Sequence, residues 1–446
     1  MSQSKTSKKG IFSWMLFDWA AQPFHTLLVT FIFAPYFVAK VAENSVDGQA
    51  LWGQAMGIGG IFIALMAPFL GALADATGPR KPWIAVFSLT VIAGTALLWL
   101  ATPDGNAPVN LILLAFVLAL VGIEFSTVFT NSMMPSLVPR SELGKLSGSG
   151  WALGYIGGII ALIMVLGFMA ASPTSGKTLF GLTPVLGLDP GQYEGERASG
   201  PLTAIWYLVF IIPMFLFTPD LPKLAGKTRA VRTALSNLWA TVSKLPERKS
   251  YFSFLITSML YRDGLNGLYM FGGIYAAGVL GMSTTQIGIF GILAAVAGTA
   301  GAFFGGRMDA KLGPKTVVFW SCWLLVIAGT VIVSSTPESI LFVVPVTSAS
   351  TPLIVFYIAG SLIGAAGGSL QAASRTLLVD QVGRDETTEA FGLYALAGRA
   401  TSFIAPLSIA FVTTATQSQR IGITPVIVLL AIGAIGLFWV REKQPQ

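Results

Sequence analysis

Long apolar segments separated by short polar loops run along the whole chain. Twelve of these segments are long enough to cross a bilayer, which takes about 20 residues of α-helix. In lipid every backbone N–H and C=O group needs an internal partner, and a helix supplies it. The pattern therefore predicts an all-α membrane protein with transmembrane helices at residues 12–38, 51–74, 82–101, 109–135, 149–171, 202–218, 251–279, 285–306, 315–335, 352–379, 388–414 and 421–440.

The composition agrees with this pattern. Of the 446 residues, 54% are hydrophobic and 11% are charged, whereas soluble domains carry about 25% charged residues. The net charge is +7, but alternate loops carry 20 lysines and arginines on one side and 4 on the other. The positive-inside rule then places both termini in the cytoplasm. This asymmetry explains the basic charge without a nucleic-acid partner, and the short basic loops are typical of a bacterial inner-membrane protein.

Polar landmarks repeat between the two halves of the chain. The pairs are Asp18 with Asp263, Asp75 with Asp309, and Arg140 with Arg384, at offsets of 245, 234 and 244 residues. Loops of unequal length absorb the differences, so the pattern predicts a duplicated unit of six helices. We expect an N-terminal six-helix bundle at 1–219, a basic cytoplasmic linker at 220–250 with an amphipathic helix from Thr228 to Leu245, and a second bundle at 251–446.

Six ionisable side chains lie inside predicted spans, three acidic and three basic. A charged side chain at the bilayer centre costs about 2.5–3.5 kcal/mol, so these groups must face a cavity or one another. Two interpretations stay open: binding of substrate or protons in a cavity, and structural ion pairs between helices. The six residues are Asp18, Glu124, Asp263, Arg262, Arg375 and Arg399.

Further polar residues share helix faces with these charges. Asp18, Gln22 and His25 lie on one face of span 1, because they are four and three positions apart. The other sets are Glu124, Thr127 and Asn131 on span 4, Arg262, Asp263 and Asn266 on span 7, and Gly364, Gly368, Gln371 and Arg375 on span 10. By depth along their helices, Asp263 is predicted to meet Arg399, and Asp18 to meet Arg375.

Two related Gly-rich turns follow spans 2 and 8, namely GALADATGPRK at 71–81 and GGRMDAKLGPK at 305–315. The first turn resembles the cytoplasmic motif between helices 2 and 3 of the major facilitator superfamily, and the second resembles its degenerate copy. The resemblance implies a gate that stabilises the outward-facing state, and spans 1, 4, 7 and 10 around a central cavity. The implied gate residues are Gly71, Asp75, Gly78, Arg80, Lys81, Asp309 and Lys315, with Pro79 departing from the usual basic residue.

Four short stretches resemble the vacuole-effluxer-like branch of that superfamily, whose fungal members export amino acids from the vacuole. They are W-x3-DWA-x-QPF at 14–24, FAPYF at 33–37, YRDG at 261–264 and IYAAGVLG at 274–281. The resemblance implies efflux of a small polar solute such as an amino acid. Proton coupling would fall to Asp18, Glu124 or Asp263, since burial disfavours a charged carboxylate.

Other functions remain as alternatives: a cation-coupled sugar symporter, a drug exporter, or, from another class, a membrane-embedded enzyme or lipid-handling protein. The sequence has no P-loop, no HExxH motif and no Cys/His cluster, and Cys322 is its single cysteine. We therefore expect no cofactor, no metal and no catalytic residue. The expected partners are a small-molecule substrate, a proton or other ion, and the bilayer, with the chain acting as a monomer.

Overall fold

The structure is a computed structural model that describes residues 6–103, 105, 107–139, 142–222, 236, 240, 243–346, 348, 350–382 and 387–441, without the side chains of 72–77, 143–145, 310 and 387–389. In this part of the chain the protein is almost entirely helical. The helices are α1 (Lys8–Pro23), α2 (Phe33–Tyr36), α3 (Ser45–Thr77), α4 (Lys81–Leu97), α5 (Val109–Leu137), α6 (Leu143–Met164), α7 (Glu194–Arg197), α8 (Ser199–Phe217), α9 (Lys249–Gly278), α10 (Thr284–Leu312), α11 (Pro314–Val333), α12 (Thr351–Gln381), α13 (Thr387–Ala400), α14 (Ile404–Thr416), α15 (Gln419–Gly422) and α16 (Thr424–Gly436).

Eleven helical segments of the described residues are long and apolar enough to cross a membrane. They correspond to every predicted span except the seventh, which is α9. That helix has 30 residues, about 45 Å at 1.5 Å per residue, so it is also long enough to span. Its lower hydropathy comes from polar residues such as Arg262, Asp263 and Asn266. The predicted twelve-helix membrane fold is confirmed.

The first span is irregular. After α1 the chain continues as a π-helix at Phe24–Phe31, passes through α2, and forms a second π-helix at Phe37–Val41. Each π-helix follows closely after a proline, Pro23 or Pro35. Proline has no N–H group to donate to the helix ladder, which favours such a change of register.

Span 11, expected as one helix over 388–414, is interrupted. Residues 401–403 form a turn between α13 and α14. An irregular backbone at this depth needs partners for its free N–H and C=O groups. Another difference is a small hairpin in the predicted loop at 336–351, where β1 (Ser339–Ile340) pairs antiparallel with β2 (Val344–Pro345). The predicted amphipathic helix at 228–245 lies almost wholly outside the described residues.

The chain forms two compact units, residues 1–37 with 62–239, and residues 38–61 with 240–446. In the first unit α1 packs on α6 and α8, and α4 packs on α5 and α8. In the second unit α9 packs on α16, while α10 and α11 both pack along α12.

The first part of α3 belongs to the second unit. Three glycines of this helix lie against span 11, at and just after its break. Gly53 contacts Pro406, Gly57 contacts Leu407 and Gly60 contacts Phe403. Gln49 is fully buried nearby and donates from Nε2 to the Thr413 hydroxyl over 2.8 Å and to the Gln419 carbonyl over 3.1 Å. Small residues allow helix backbones to approach closely, as is common in membrane proteins.

Candidate functional site

A polar stripe on α1 and the start of the following π-helix faces a row of glycines on α6. The stripe consists of Asp18, Gln22 and Thr26, and the glycines opposite are Gly150, Gly154 and Gly158. A methyl group added at Gly150 would collide with Oδ2 of Asp18, so this carboxylate lies directly against α6. Gln22 donates from Nε2 to the Thr26 hydroxyl over 3.4 Å. The structure thus brings Asp18 and Gln22 together on the predicted face.

Asp18 is half-buried in a span. Among the described residues it makes no hydrogen bond within 3.5 Å and no ion pair within 4.0 Å. The predicted pairing with Arg375 would join the two units and stays a prediction. Asp18 is thus a carboxylate held beside glycine backbone, with no counter-charge within 4.0 Å among the described residues.

His25 lies one turn further along, in the π-helix that follows α1. Its carbonyl oxygen accepts a hydrogen bond of 2.9 Å from the Thr30 hydroxyl, and its ring meets that of Phe24 edge-to-face. His25 therefore lies in the irregular part of span 1, and its place on the polar face of Asp18 and Gln22 stays a prediction.

The polar residues of α5 differ in exposure. Glu124 is half-buried, whereas Asn131 is exposed. The Thr127 hydroxyl donates to the Ile123 carbonyl of its own helix over 2.7 Å. Thr127 is thus engaged locally, and a shared binding face of the three residues stays a prediction.

In the second unit the motif YRDG of α9 contacts four other helical segments. Tyr261 is fully buried, and its hydroxyl forms a 2.8 Å hydrogen bond with Ser374 of α12. Gly264 leaves room for Val426 and Leu430 of α16. The two charged residues between them contact both sides of the break in span 11.

Arg262 lies against α13, the helix before the break. Its guanidinium donates to the Tyr394 carbonyl over 2.8 Å, lies 4.0 Å from the centre of the Tyr394 ring, and packs on Gly398. A cation near the C-terminal half of a helix is favoured by the partial negative charge of that end. Arg262 thus stabilises the end of α13.

Asp263 binds the helix after the break. Its Oδ2 accepts a 2.8 Å hydrogen bond from the backbone N–H of Ala405, in the first turn of α14. The residue is 3% exposed. The first N–H groups of a helix have no intrahelical partner, and a carboxylate satisfies them well. The structure gives Asp263 this amide as its partner in place of the predicted Arg399, because the break creates a buried donor that the sequence pattern did not reveal.

The remaining residues of this unit that were predicted to form the site range from half-buried to exposed. Arg399 is half-buried in the last turn of α13, and its carbonyl accepts from the Ser402 hydroxyl over 3.0 Å. On α12, Gly364 and Gly368 contact the backbone of α10, Gln371 is half-buried, and Arg375 is exposed. Asn266 on α9 is exposed.

The first Gly-rich turn is bound into its unit by Asp220. Gly78 adopts a φ of 93°, a region that favours glycine. Asp220 accepts from the backbone N–H groups of Arg80 (2.8 Å) and Lys81 (3.2 Å) and so caps α4. The predicted carboxylate, Asp75, has its side chain outside the described residues. Sequence analysis missed Asp220, although an acidic residue directly after span 6 was a usable signal.

The basic residues of this turn are also engaged. Arg80 is 5% exposed. It donates to the Ser132 hydroxyl over 2.9 Å and to the Gly78 carbonyl over 2.8 Å. Lys81 donates from Nζ to the Phe215 carbonyl over 2.8 Å. Gly71, at the other end of the motif, has open space where a side chain would lie. Ser132 of α5 and the Gly78 carbonyl are therefore among the partners of Arg80.

The second Gly-rich turn shares the backbone geometry but not the contacts. Gly313 has a φ of 83°, and Pro314 opens α11. Asp309 is 8% exposed, and its Oδ1 has no hydrogen-bond partner among the described residues. Lys315 is half-buried, and Arg307 and Lys311 are exposed.

The architecture resembles that of solved membrane transporters. The chain resembles the structure of a D-xylose-proton symporter, with a TM-score of 0.67 and 12% identity over 98% of this chain and 99% of that one. It also resembles a bacterial homolog of the human lysosomal transporter Spinster, with a TM-score of 0.65 and 14% identity over 96% and 95%. These likenesses define the fold as that of the major facilitator superfamily.

Sequence comparison places the chain more narrowly. It is 24% identical over 436 residues to the uncharacterized MFS-type transporter YxiO of Bacillus subtilis, covering 97% of this chain and 94% of that protein. It is 24% identical over 355 residues to the multidrug resistance protein MdtG of Escherichia coli, covering 78% and 74%. The family described as vacuole effluxer Atg22 like matches residues 47–445. The chain belongs to this family and is a multi-pass MFS-type membrane transporter.

Proposed function

We infer that the protein is a proton-coupled secondary transporter that exports a small polar solute, such as an amino acid. The observation that carries this inference is Asp18, a half-buried carboxylate inside span 1 that makes no ion pair among the described residues. A carboxylate in this setting can hold a proton in one state and lose it in another. Its neighbours Gln22 and His25 extend a polar track along the same span.

The residues of the second unit have a different proposed role. Arg262 and Asp263 contact the two halves of span 11 on either side of its break. Changes at this break would move α13 relative to α14, and such broken helices surround the binding sites of many transporters. The proposed set of substrate and coupling residues has six further members from both units. They are Glu124, Asn131, Asn266, Gln371, Arg375 and Arg399.

The proposed topology has both termini in the cytoplasm of a bacterial cell and the chain in the inner membrane. The 20 to 4 distribution of basic residues between the two sides supports it. The proposed bundles are residues 1–219 and 251–446, joined by the basic linker at 220–250. The turns at 71–81 and 305–315 then lie on the cytoplasmic side, where the first acts as a gate through Asp75, Arg80 and Lys81.

The substrate class rests on the family and on the charges. Separated carboxylates and guanidinium groups complement the ammonium and carboxylate groups of an amino acid, and the family description names an effluxer. A relative is named for multidrug resistance, and a structural neighbour is a D-xylose-proton symporter. A thermal-shift screen of purified protein against amino acids, sugars and cationic drugs at two pH values separates these classes.

The decisive experiment compares the parent protein with Asp18→Asn in proteoliposomes. Exchange of substrate down its own gradient should survive in the variant, while pH-driven accumulation should disappear. Asp189→Asn, a change of the same chemistry in an exposed loop, serves as the matched control and should behave like the parent. Retained pH-driven accumulation in Asp18→Asn would contradict the role of Asp18, and the same assay on Glu124→Gln and Asp263→Asn would then test the other two carboxylates.

A further inference from the structure

An apolar groove opens on the surface of the second unit between α10 and α11. Both helices pack along α12 but contact each other little. The groove has a volume of about 350 Å³, and its lining is almost entirely apolar. The lining includes Ala300, Phe304 and Met308 of α10, Trp320 of α11 and Ala365 of α12.

Glycines explain why the groove forms. Gly301 and Gly305 of α10 lie directly against Ala365 and Ser369 of α12, with no room for a side chain at either position. This close approach draws α10 onto α12 and away from α11. The hydroxyl of Ser369 donates to the Gly301 carbonyl over 2.7 Å. The Ser369 hydroxyl is thus satisfied, and the mostly apolar lining favours an apolar occupant.

The large side chains at the groove are open to the surroundings. Phe304 is 61% exposed, Met308 49% and Trp320 64%. All three lie in helices that are long and apolar enough to span a membrane. An exposed apolar side chain in such a helix is suited to contact with lipid tails. The groove extends along α10 from Ala300 to Leu312, about 18 Å at 1.5 Å per residue. One leaflet is about 15 Å deep, half of a hydrocarbon core of about 30 Å, so the groove matches the reach of one acyl chain.

Basic residues surround the end of the groove where α10 turns into α11. Arg307 and Lys311 are exposed on α10, one turn apart, and Lys315 lies in the first turn of α11. One acidic residue, Asp309, is buried at the same turn. Within the turn itself, among the described residues, basic side chains outnumber acidic ones by three to one. Basic residues near a membrane surface attract anionic lipid.

We propose that this groove binds an anionic diacyl phospholipid, with one acyl chain along Phe304, Met308 and Trp320 and the phosphate at Lys311 and Lys315. The site is separate from the proposed coupling residues, and the proposal holds whatever the solute transported. The groove matches an acyl chain in length and lining, and basic residues lie at one end of it. A lipid can use both features, whereas a soluble anion would contact only the basic residues.

Native mass spectrometry of the full chain in detergent tests the proposal directly. The protein is titrated with phosphatidylglycerol or with phosphatidylcholine of the same acyl chains. Phosphatidylglycerol should bind at least about tenfold more tightly, because only its headgroup carries a net negative charge. Glycerol phosphate, which has no acyl chain, should not displace it. Equal affinity for the two lipids, or displacement by glycerol phosphate, would overturn the proposal.

Two sets of variants locate the site. Lys311→Glu with Lys315→Glu should weaken phosphatidylglycerol at least about tenfold and leave phosphatidylcholine unchanged. The matched control is Lys40→Glu with Lys177→Glu, two exposed lysines elsewhere, which should change neither lipid. Ala300→Phe should fill the inner end of the groove and weaken both lipids without changing charge. Unchanged binding in either groove variant would refute the site, and an unshifted melting temperature shows that each variant is folded.

Discussion

Asp18 and Asp263 occupy equivalent positions in the two halves of the sequence, 245 residues apart, yet their surroundings differ. Asp18 is half-buried against the glycines of α6 and makes no hydrogen bond or ion pair among the described residues. Asp263 is 3% exposed and accepts a 2.8 Å hydrogen bond from Ala405 N–H. Two positions that the sequence pattern pairs therefore carry the same residue type in two different environments.

The difference shows that the hydrogen-bond donors around a carboxylate inside a membrane decide its role. A buried carboxylate that satisfies a helix N-terminus contributes to stability in its charged form. A carboxylate without such a donor gains little from its charge and is available for exchange of protons. Substitutions at the two positions should therefore separate stability from transport.

The largest expected loss of stability follows Asp263→Ala. The change leaves the Ala405 N–H buried without its acceptor, which should lower the free energy of unfolding by about 2–3 kcal/mol. Thermal unfolding of purified protein in one detergent measures it. Asp263→Asn retains an acceptor oxygen and should recover about half of the loss. A melting temperature of Asp263→Ala equal to that of Asp18→Ala would contradict the capping role.

Removal of Arg262 should cost less. Arg262→Ala loses the hydrogen bond to the Tyr394 carbonyl and the contact with its ring, together about 1–2 kcal/mol. Arg307→Ala is a matched control, since that arginine also lies over an aromatic ring, Phe303, but is exposed on its own helix. The control should change stability by less than about 0.5 kcal/mol. Equal losses in both variants would show that Arg262 does not hold span 11.

The effect of Gly150→Ala on the free energy of unfolding tests the contact between Asp18 and α6. The added methyl group meets Oδ2 of Asp18, and moving that side chain should cost about 1 kcal/mol. In an Asp18→Ala background the cost should vanish, because the colliding atom is gone. Gly148→Ala, on the same helix with open space around it, should be neutral or slightly stabilising. A cost at Gly150 that persists without the Asp18 carboxylate would place that side chain elsewhere.

Asp18→Asn should have the smallest effect on stability, within about 0.5 kcal/mol, because no hydrogen bond or ion pair among the described residues is lost. The same preparation is used in the transport assay, where loss of pH-driven accumulation is expected. A large drop in melting temperature would instead indicate a structural role for this carboxylate.

Much of the helical architecture could be predicted because its signals are local. Apolar segments of membrane length marked the spans, and the Gly-Pro pairs at 78–79 and 313–314 marked turns where only glycine adopts the observed φ easily. The interruption of span 11 was not predictable from hydropathy, since residues 401–403 differ little in character from their neighbours. The role of Asp220 was missed because its acceptor oxygens bind backbone N–H groups 140 and 139 residues away in sequence.

The sequence by itself determined which helices cross the membrane, which of their positions are polar, and which of these share a helix face. Those properties depend on residue type and on the helical repeat, which act over a few residues. Only the tertiary structure decided the partners. Asp263 and Ala405 are separated by 142 residues, and they meet because α9 packs beside a break in span 11 whose free N–H needs an acceptor. Asp18 meets glycine backbone at the equivalent position, and that difference in packing separates the two carboxylates.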